Sequence, residues 1–377
     1  MNLLPALYLK LDKWLKEIHG SARKTYFALV VAYYQVKSPC ISDLARALKL
    51  KMSFENVRQR VWRFLRHSQS EKKIVYKHLI EEYIQRYGHE FSKKLMLVIM
   101  DWTDYGKFWA LQLAIPFQGR AIPIYAVVAD SNLIKDEMTK MELEAMRVLF
   151  SSIPQELKEY VVIVADRGFS KIELFREIES LGGKYVIRVK KNECIEVEGN
   201  FTKLSTIKIL PGERMALNGV ILTEVHKHMV NLAIRRLLPA EIPQKKEDDD
   251  DTYYLATNLS DTEASFGIYP QRMQIEEMFR DFKSYGLHLD AHQIRQEETM
   301  QTMLLVAVLV YQFILQEGVG KVNKETVRLV AAVKKGKAEL SIFSVCMAIL
   351  DRFLEISYGS QIYCTFSRFW VLKPETA

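Results

Sequence analysis

The stretch Lys94-Leu-Met-Leu-Val-Ile-Met-Asp101-Trp-Thr-Asp104 opens the part of the chain whose order of elements decides the fold. It is an apolar run rich in strand-forming residues, and it ends in carboxylates. A second such run, Tyr160-Val-Val-Ile-Val-Ala-Asp166-Arg-Gly168-Phe, ends in an aspartate and a glycine that permits a sharp turn. Two neighbouring strands would bring Asp101 and Asp166 together, although 65 positions separate them in the sequence.

The segment around these two runs is predicted to alternate strands and helices. Strands at Phe108–Ile115 and Ala121–Val128 follow the first strand after short turns, which indicates an antiparallel meander. Helices are predicted at Glu137–Phe150 and Lys171–Leu181, and strands alternate with them up to about residue 192. We therefore expect an α/β fold.

A third reactive segment is Tyr269-Pro-Gln-Arg-Met-Gln-Ile-Glu-Glu-Met-Phe-Arg-Asp-Phe-Lys283, which is predicted to be one helix. At 100° per residue, one narrow stripe of this helix carries a phenol, a carboxylate and three cations. The residues of the stripe are Tyr269, Arg272, Glu276, Arg280 and Lys283. The apolar residues point largely elsewhere and can hold the helix on a core, so the stripe is expected to face a ligand.

Other carboxylates compete for the same roles. Asp104 lies close to Asp101, but Asp101 directly follows the unbroken apolar run and is preferred. Asp130 ends another predicted strand, and Glu277 lies about 100° round the helix from Glu276. Both are weaker candidates.

The spacing Tyr, two residues, Arg, three residues, Glu, six residues, Lys resembles the signature of the DDE transposases of bacterial insertion sequences, in the family named after insertion sequence four. The contexts of Asp101 and Asp166 resemble the first and second catalytic blocks of that family. The resemblance implies a ribonuclease H-like catalytic core in which Asp101, Asp166 and Glu276 are catalytic and hold two Mg²⁺ or Mn²⁺ ions. Tyr269, Arg272 and Lys283 resemble the residues that grip phosphates near the cleaved bond.

The predicted organisation has five parts. A helical, helix-turn-helix-like DNA-binding domain is predicted for residues 1–90. The two parts of the ribonuclease H-like core are residues 91–192 and 267–316, and a β-rich insertion, residues 193–266, lies between them. A helical C-terminal region is predicted for residues 317–377. Strand-like runs of the insertion are predicted at Ile207–Leu210, Gly219–His228, Val230–Arg236 and Tyr253–Ala256. The acidic run Glu247–Asp251 is expected to be a solvated loop.

Four residues outside the stripe are further candidates for DNA contact. Arg58 and Arg63 lie on a predicted basic helix of the N-terminal domain, although an ordinary basic helix surface would have the same pattern. Tyr253 or Tyr254 could stack on an unpaired base, with packing of the strand core as the alternative. Strand alternation predicts that one of these two tyrosines faces solvent.

Composition favours a polyanionic partner, because the formal net charge is +7 and the pI is near 9.0. Four scattered cysteines indicate reduced thiols and the cytoplasm, where we expect association with the nucleoid. The expected partner is double-stranded DNA, namely terminal inverted repeats and target DNA, bound by a homodimer. Two other interpretations stay open: a metal-dependent nuclease without strand transfer, and a catalytically silent DNA-binding regulator.

Overall fold

The fold is that of a computed structural model, which describes residues 3–48, 50–67, 71–91, 94–132, 137–197, 199–242, 251–284, 286–334, 337–338 and 340–358. The chain divides into two compact units. The first combines Met1–His78 with Phe279–Ala377, and the second is Leu79–Met278. These divisions differ from the sequence-based limits at residues 90 and 316.

The described residues contain helices throughout both units. They are α1 (Leu3–Trp14), α2 (Gly20–Val36), α3 (Ile41–Ala47), α4 (Phe54–His67), α5 (Glu71–Phe91), α6 (Met138–Ser151), α7 (Ile172–Ser180), α8 (Ser265–Ile268), α9 (Met273–Phe282), α10 (Glu297–Val319), α11 (Lys324–Val330) and α12 (Ile342–Tyr358).

The strands of the second unit form one sheet. They are β1 (Met96–Tyr105), β2 (Phe108–Phe117), β3 (Arg120–Asp130), β4 (Val161–Ala165), β5 (Lys184–Arg188), β6 (Cys194–Val197), β7 (Asn200–Lys203), β8 (Arg214–Leu222), β9 (His228–Arg236) and β10 (Thr252–Thr257). Their order across the sheet is β3-β2-β1-β4-β5-β10-β9-β8-β6-β7.

The first five strands confirm the predicted meander and the alternation of strands and helices that follows it. Strands β1, β2 and β3 pair antiparallel, whereas β4 is parallel to both β1 and β5. All five residues of β4 are buried, which explains why its sequence is a continuous apolar run rather than an alternating one. The fold is therefore mixed α/β with a large central sheet.

The insertion extends this sheet, because β10 pairs antiparallel with β5 and β9 pairs with β10. Two sequence predictions are wrong here. Residues Ile207–Leu210 form no strand, and the predicted strand Gly219–His228 is broken by a turn between β8 and β9. Thr223 and Lys227 have left-handed φ angles of 61° and 42° within that turn.

The polar part of the insertion was harder to predict. The hairpin of β6 and β7 has only four residues in each strand, and half of them are polar, so the apolar pattern did not indicate it. Of the acidic run Glu247–Asp251, only Asp251 lies among the described residues, and its carboxylate accepts a hydrogen bond from Nε of Arg236 at 2.7 Å.

The predicted single helix Tyr269–Lys283 consists of two parts. Tyr269–Arg272 form a 3₁₀ turn, and the α-helix α9 begins at Met273. Pro270 lies at the start of the turn, where its missing N–H is tolerated. In a 3₁₀ turn, residues three apart lie above one another, so Tyr269 and Arg272 point in nearly the same direction.

In the first unit, α10 is the central helix and packs against α2, α4 and α12. By length and composition α10 could cross a membrane, but 83% of its most apolar window is buried inside the protein. Helices α1 to α5 agree with the prediction that residues 1–90 are helical. Residues 359–377 of the predicted C-terminal region lie outside the described residues.

Candidate active site

The two aspartates follow the segment over which β1 and β4 pair in parallel. The pairing of β1 with β4 ends at Met100 opposite Ala165, and Asp101 and Asp166 are the next residues on each side. Strand β1 itself continues past Asp101 to Tyr105 through its pairing with β2. Parallel register therefore brings the two carboxylates to one place in the sheet.

Tyr269 and Arg272 turn towards these aspartates rather than towards solvent. The phenol of Tyr269 donates a hydrogen bond to Oδ1 of Asp166 at 3.1 Å, and Nη1 of Arg272 donates to Oδ2 of Asp101 at 3.0 Å. Both residues are buried, with exposed fractions of 8% and 9%. The 3₁₀ turn directs the two side chains towards the aspartates, and the expectation that the stripe faces a ligand stays a prediction.

Glu276 joins this group from α9. Nη2 of Arg272 donates to Oε1 of Glu276 at 2.6 Å, so one guanidinium contacts two of the three predicted catalytic carboxylates. On the other side of α9, Ile275 and Met278 are fully buried and anchor the helix, as predicted.

The polar side chain of Gln274 also anchors α9. Its Oε1 accepts hydrogen bonds from the backbone N–H groups of Phe117 at 2.9 Å and Gly119 at 3.1 Å. These two residues flank the turn between β2 and β3, where Gly119 has a φ of 79°. The start of the helix is therefore fixed to the sheet two residues before Glu276.

The competing carboxylates have other surroundings. Asp104 is exposed and, three positions along the strand from Asp101, points to the opposite face. Asp130 binds Lys107 at 3.3 Å at the end of β3, and Glu277 binds Arg120 at 3.2 Å. Arg272 forms its ion pairs with Asp101 and Glu276 instead.

Burial and charge move the pKa values of the two aspartates apart. Burial raises the pKa of Asp101 to about 6, and the negative charges of Asp166 and Glu276 act in the same direction against the opposing effect of Arg272. Burial also raises the pKa of Asp166, but the Arg167 backbone N–H, the Arg272 guanidinium and the Tyr269 phenol more than offset it. The net pKa of Asp166 therefore lies below its ordinary value. Arg272 thus stabilises negative charge on both aspartates.

The two tyrosines of β10 lie in different environments. Tyr254 is buried, with an exposed fraction of 6%, whereas Tyr253 is half-buried. The ring of Tyr253 lies 5.7 Å from the ring of Tyr269, and the guanidinium of Arg188 lies 4.4 Å from its centroid. Tyr253 therefore contacts the residue that binds Asp166, and its stacking on a base stays a prediction.

Arg188 was not predicted from the sequence. It is buried at the end of β5, and its charge lowers the pKa of both Asp166 and Tyr269. The sequence signal that could have indicated Arg188 is its position as a charged residue at the end of a buried apolar strand.

The remaining predicted DNA contacts belong to the first unit. Arg280 lies in the last turn of α9, and Lys283 directly follows that helix. On α4, Val57 and its apolar neighbours are buried, while Arg58 and Arg63 are exposed. Arg58 pairs with Glu55 at 2.7 Å on the same face.

The donor set fits a hard divalent cation, because three carboxylates coupled by charge supply the oxygen ligands that Mg²⁺ and Mn²⁺ prefer. Among the described residues, however, no three His, Cys, Asp or Glu side chains already converge as a metal site. Arg272 contacts Asp101 and Glu276 instead. Nε of Arg272 is buried and has no hydrogen-bond acceptor among the described residues.

Comparison with known proteins gives one family similarity. Residues 127–313 match the family model of the transposase DDE domain. The matched segment contains Asp166, Arg272 and Glu276, whereas Asp101 precedes it. No curated protein matches the chain significantly. The matched segment is thus similar to the DDE domain of transposases, enzymes that act on DNA and generally use divalent metals.

Proposed function

We propose that this protein is a cut-and-paste DNA transposase that cleaves DNA at transposon ends and joins the freed ends to target DNA. The observation that carries the proposal is the gathering of Asp101, Asp166 and Glu276 around Arg272 and Tyr269. The strand order β3-β2-β1-β4-β5, with an antiparallel meander followed by parallel strands, supports a ribonuclease H-like core.

The three carboxylates are the residues that would hold two Mg²⁺ or Mn²⁺ ions. When bound, such ions lower the pKa of an attacking water or hydroxyl and stabilise the leaving oxygen of a phosphodiester. Asp101 interacts electrostatically with both other carboxylates, since the charges of Asp166 and Glu276 each raise its pKa. This coupling supports Asp101 as the shared ligand.

Arg272 has a second role in this proposal, as a phosphate ligand. Its two terminal nitrogens bind carboxylates in the DNA-free protein, but the orphaned Nε–H costs about 1–3 kcal/mol. A phosphate group offers acceptors to several guanidinium N–H groups at once. Binding of DNA would therefore relieve that cost, and Lys283 and Arg280 would contact the same backbone.

Tyr269 keeps its proton in this site. Burial and the neighbouring carboxylate raise the pKa of its phenol well above the ordinary value, so the group acts as a hydrogen-bond donor. Its bond to Asp166 orients that carboxylate, and the ring of Tyr253 packs beside it.

The proposed partner is double-stranded DNA, bound as terminal inverted repeats and as target. The exposed arginines of α4 would read the ends, and a homodimer would present one active site to each of two ends. Such an enzyme would act on the nucleoid in the cytoplasm.

The test is a reconstituted reaction with terminal DNA, target plasmid and Mg²⁺. Asp101→Asn, Asp166→Asn and Glu276→Gln should each abolish cleavage, whereas Asp104→Asn and Glu277→Gln, on the same strand and helix, should retain it. Retained cleavage in any of the first three variants removes that residue from the site.

The products separate the three possible activities. Joining of a pre-cleaved end to the plasmid supports the transposase, and a closed terminal product would identify a hairpin intermediate. Cutting without joining supports a nuclease, and binding without either supports a silent regulator.

A further inference from the structure

Glu142 is a carboxylate of the second unit that the proposed chemistry does not use. It lies on α6 and is buried, with an exposed fraction of 1%. One oxygen, Oε1, accepts a hydrogen bond from the indole Nε1–H of Trp102 at 3.1 Å. The other, Oε2, contacts Nζ of Lys171 at 2.6 Å.

These two partners belong to the segments that carry the aspartates. Trp102 directly follows Asp101 on β1, and its backbone N–H donates to Oδ1 of Asp101 at 2.9 Å. Lys171 ends the short segment that leads from Asp166 through a 3₁₀ turn into α7. Glu142 therefore connects the two catalytic segments through one side chain.

Strand geometry excludes Glu142 from direct contact with the reacting groups. Successive side chains of a strand point to opposite faces, so Trp102 and Glu142 lie on the face opposite to Asp101. The effect of Glu142 on Asp101 must pass through the backbone of β1. Glu142 is thus a candidate positioning residue and not a fourth metal ligand.

Stability alone gives little reason for this arrangement. Replacing a buried ion pair by apolar side chains of similar volume is often neutral or stabilising. An apolar contact, however, does not fix the orientation of the side chains that make it. The two hydrogen bonds of Glu142 fix the indole of Trp102 and the ammonium group of Lys171 in place. Groups behind a metal site that orient its ligands change metal affinity or activity about 10–100-fold when they are replaced.

We propose that Glu142 sets the separation of the Asp101 and Asp166 carboxylates by holding Trp102 and Lys171 together. This inference rests on the proposed function for its catalytic consequence. Its structural content is independent, since it concerns the position of two backbone segments.

Three variants each remove one of the two contacts of Glu142, with Lys171 or with Trp102. Glu142→Gln keeps the shape and an oxygen acceptor for the indole but loses the ion pair with Lys171. Lys171→Met removes the same ion pair by replacing its cation. Trp102→Phe removes only the indole N–H that donates to Glu142. Glu177→Gln is the matched control, because it breaks the ion pair of Arg147 with Glu177 at 2.8 Å, which also joins α6 to α7.

The measurements are Mn²⁺ binding to the DNA-free protein by calorimetry, the cleavage rate and DNA affinity, and urea unfolding. Glu142→Gln and Lys171→Met should weaken Mn²⁺ binding and slow cleavage about 10-fold or more, with DNA affinity unchanged. Glu177→Gln should change neither Mn²⁺ binding nor cleavage. A folded Glu142→Gln protein with wild-type Mn²⁺ affinity and cleavage overturns the proposal, and should that variant not fold, Lys171→Met and Trp102→Phe carry the same test.

A crystal structure of Glu142→Gln separates this inference from the proposed function. If the wild-type protein neither binds Mn²⁺ nor cuts DNA, the proposed function fails. The inference itself is supported if the distance between the Asp101 and Asp166 carboxylates changes in the variant, and it is overturned if that distance stays the same.

Discussion

The guanidinium of Arg272 lies 3.0 Å from the carboxylate of Asp101. The same group contacts Glu276 at 2.6 Å, so one positive charge is shared between two of the proposed metal ligands. Arg272 and a divalent cation would compete for the same oxygens. The site therefore has an internal counter-ion before metal and DNA bind.

Replacing Arg272 by Met tests this competition. We expect Mn²⁺ to bind the DNA-free Arg272→Met protein about tenfold more tightly than the wild-type protein, because the variant has no internal cation. Cleavage should nevertheless fall, since the phosphate ligand is lost. Arg272→Lys, which keeps the charge, is the control for calorimetry. Equal or weaker Mn²⁺ binding by Arg272→Met would contradict the interpretation.

The raised pKa of Asp101 predicts a pH-dependent stability. An acid whose pKa rises from 3.8 to about 6 on folding stabilises the protein below pH 4, and this stabilisation is lost as the pH rises through 6. In EDTA, Asp101→Asn should therefore gain on the order of 2 kcal/mol relative to wild type between pH 4.5 and 7.5. Urea unfolding at the two pH values measures it.

Asp130 provides a control that should show no gain over the same pH range. The Asn132 backbone N–H and the neighbouring Lys107 hold the pKa of Asp130 below its ordinary value. Its contribution is present above the ordinary pKa and is lost on acidification. A gain by Asp130→Asn over the same pH range, or none by Asp101→Asn, would show that burial of Asp101 does not control its titration.

Gln274 provides a test of how α9 is positioned. Gln274→Ala leaves the N–H groups of Phe117 and Gly119 without their side-chain acceptor and should cost about 1–2 kcal/mol of unfolding free energy. Because Glu276 lies two residues away, cleavage should fall more than DNA binding does. Met273→Ala, on the same helix but 52% exposed, should match wild type in both measurements. Equal losses of stability and cleavage in the two variants would show that Gln274 has no special role in positioning α9.

The basic face of α4 predicts a salt-dependent effect on DNA binding. Arg63→Ala should weaken binding to terminal DNA about tenfold and reduce the slope of log affinity against log salt by about one, because one phosphate contact is lost. Lys16→Ala removes an exposed cation elsewhere in the same unit and should leave the slope unchanged. Titration of labelled DNA at several salt concentrations measures both. An unchanged slope for Arg63→Ala would show that Arg63 makes no phosphate contact and that this face of α4 is an ordinary basic surface.

Local sequence pattern was sufficient for the strands that lead to the aspartates, since β4 is a buried, unbroken apolar run and β1 begins with the apolar residues Met96–Met100. It was insufficient for Arg272. Helical periodicity gives the relative direction of side chains, but the partner of a side chain depends on which strand ends lie nearby. The 3₁₀ turn at Pro270 also changes the angle between Tyr269 and the helix that follows.

Glu142 had a sequence signal that was not used. It lies three, four and seven positions before Ala145, Met146 and Leu149, which are fully buried, so it is an acidic residue on the apolar stripe of α6. That pattern indicates a buried carboxylate with a partner, but it does not say which partner. Trp102 and Lys171 are 40 and 29 residues away, and only the tertiary fold brings them to it.

The pairing of β5 with β10 has a consequence for protein synthesis. Asp101 and Asp166 are translated 110 residues or more before Glu276, and β5 gains its second neighbour only when β10 has been made. A nascent or truncated chain that stops before residue 252 would have an open sheet edge and two aspartates without Arg272. Incomplete chains would therefore be prone to associate through that edge, and they would lack Glu276, the third carboxylate of the proposed site.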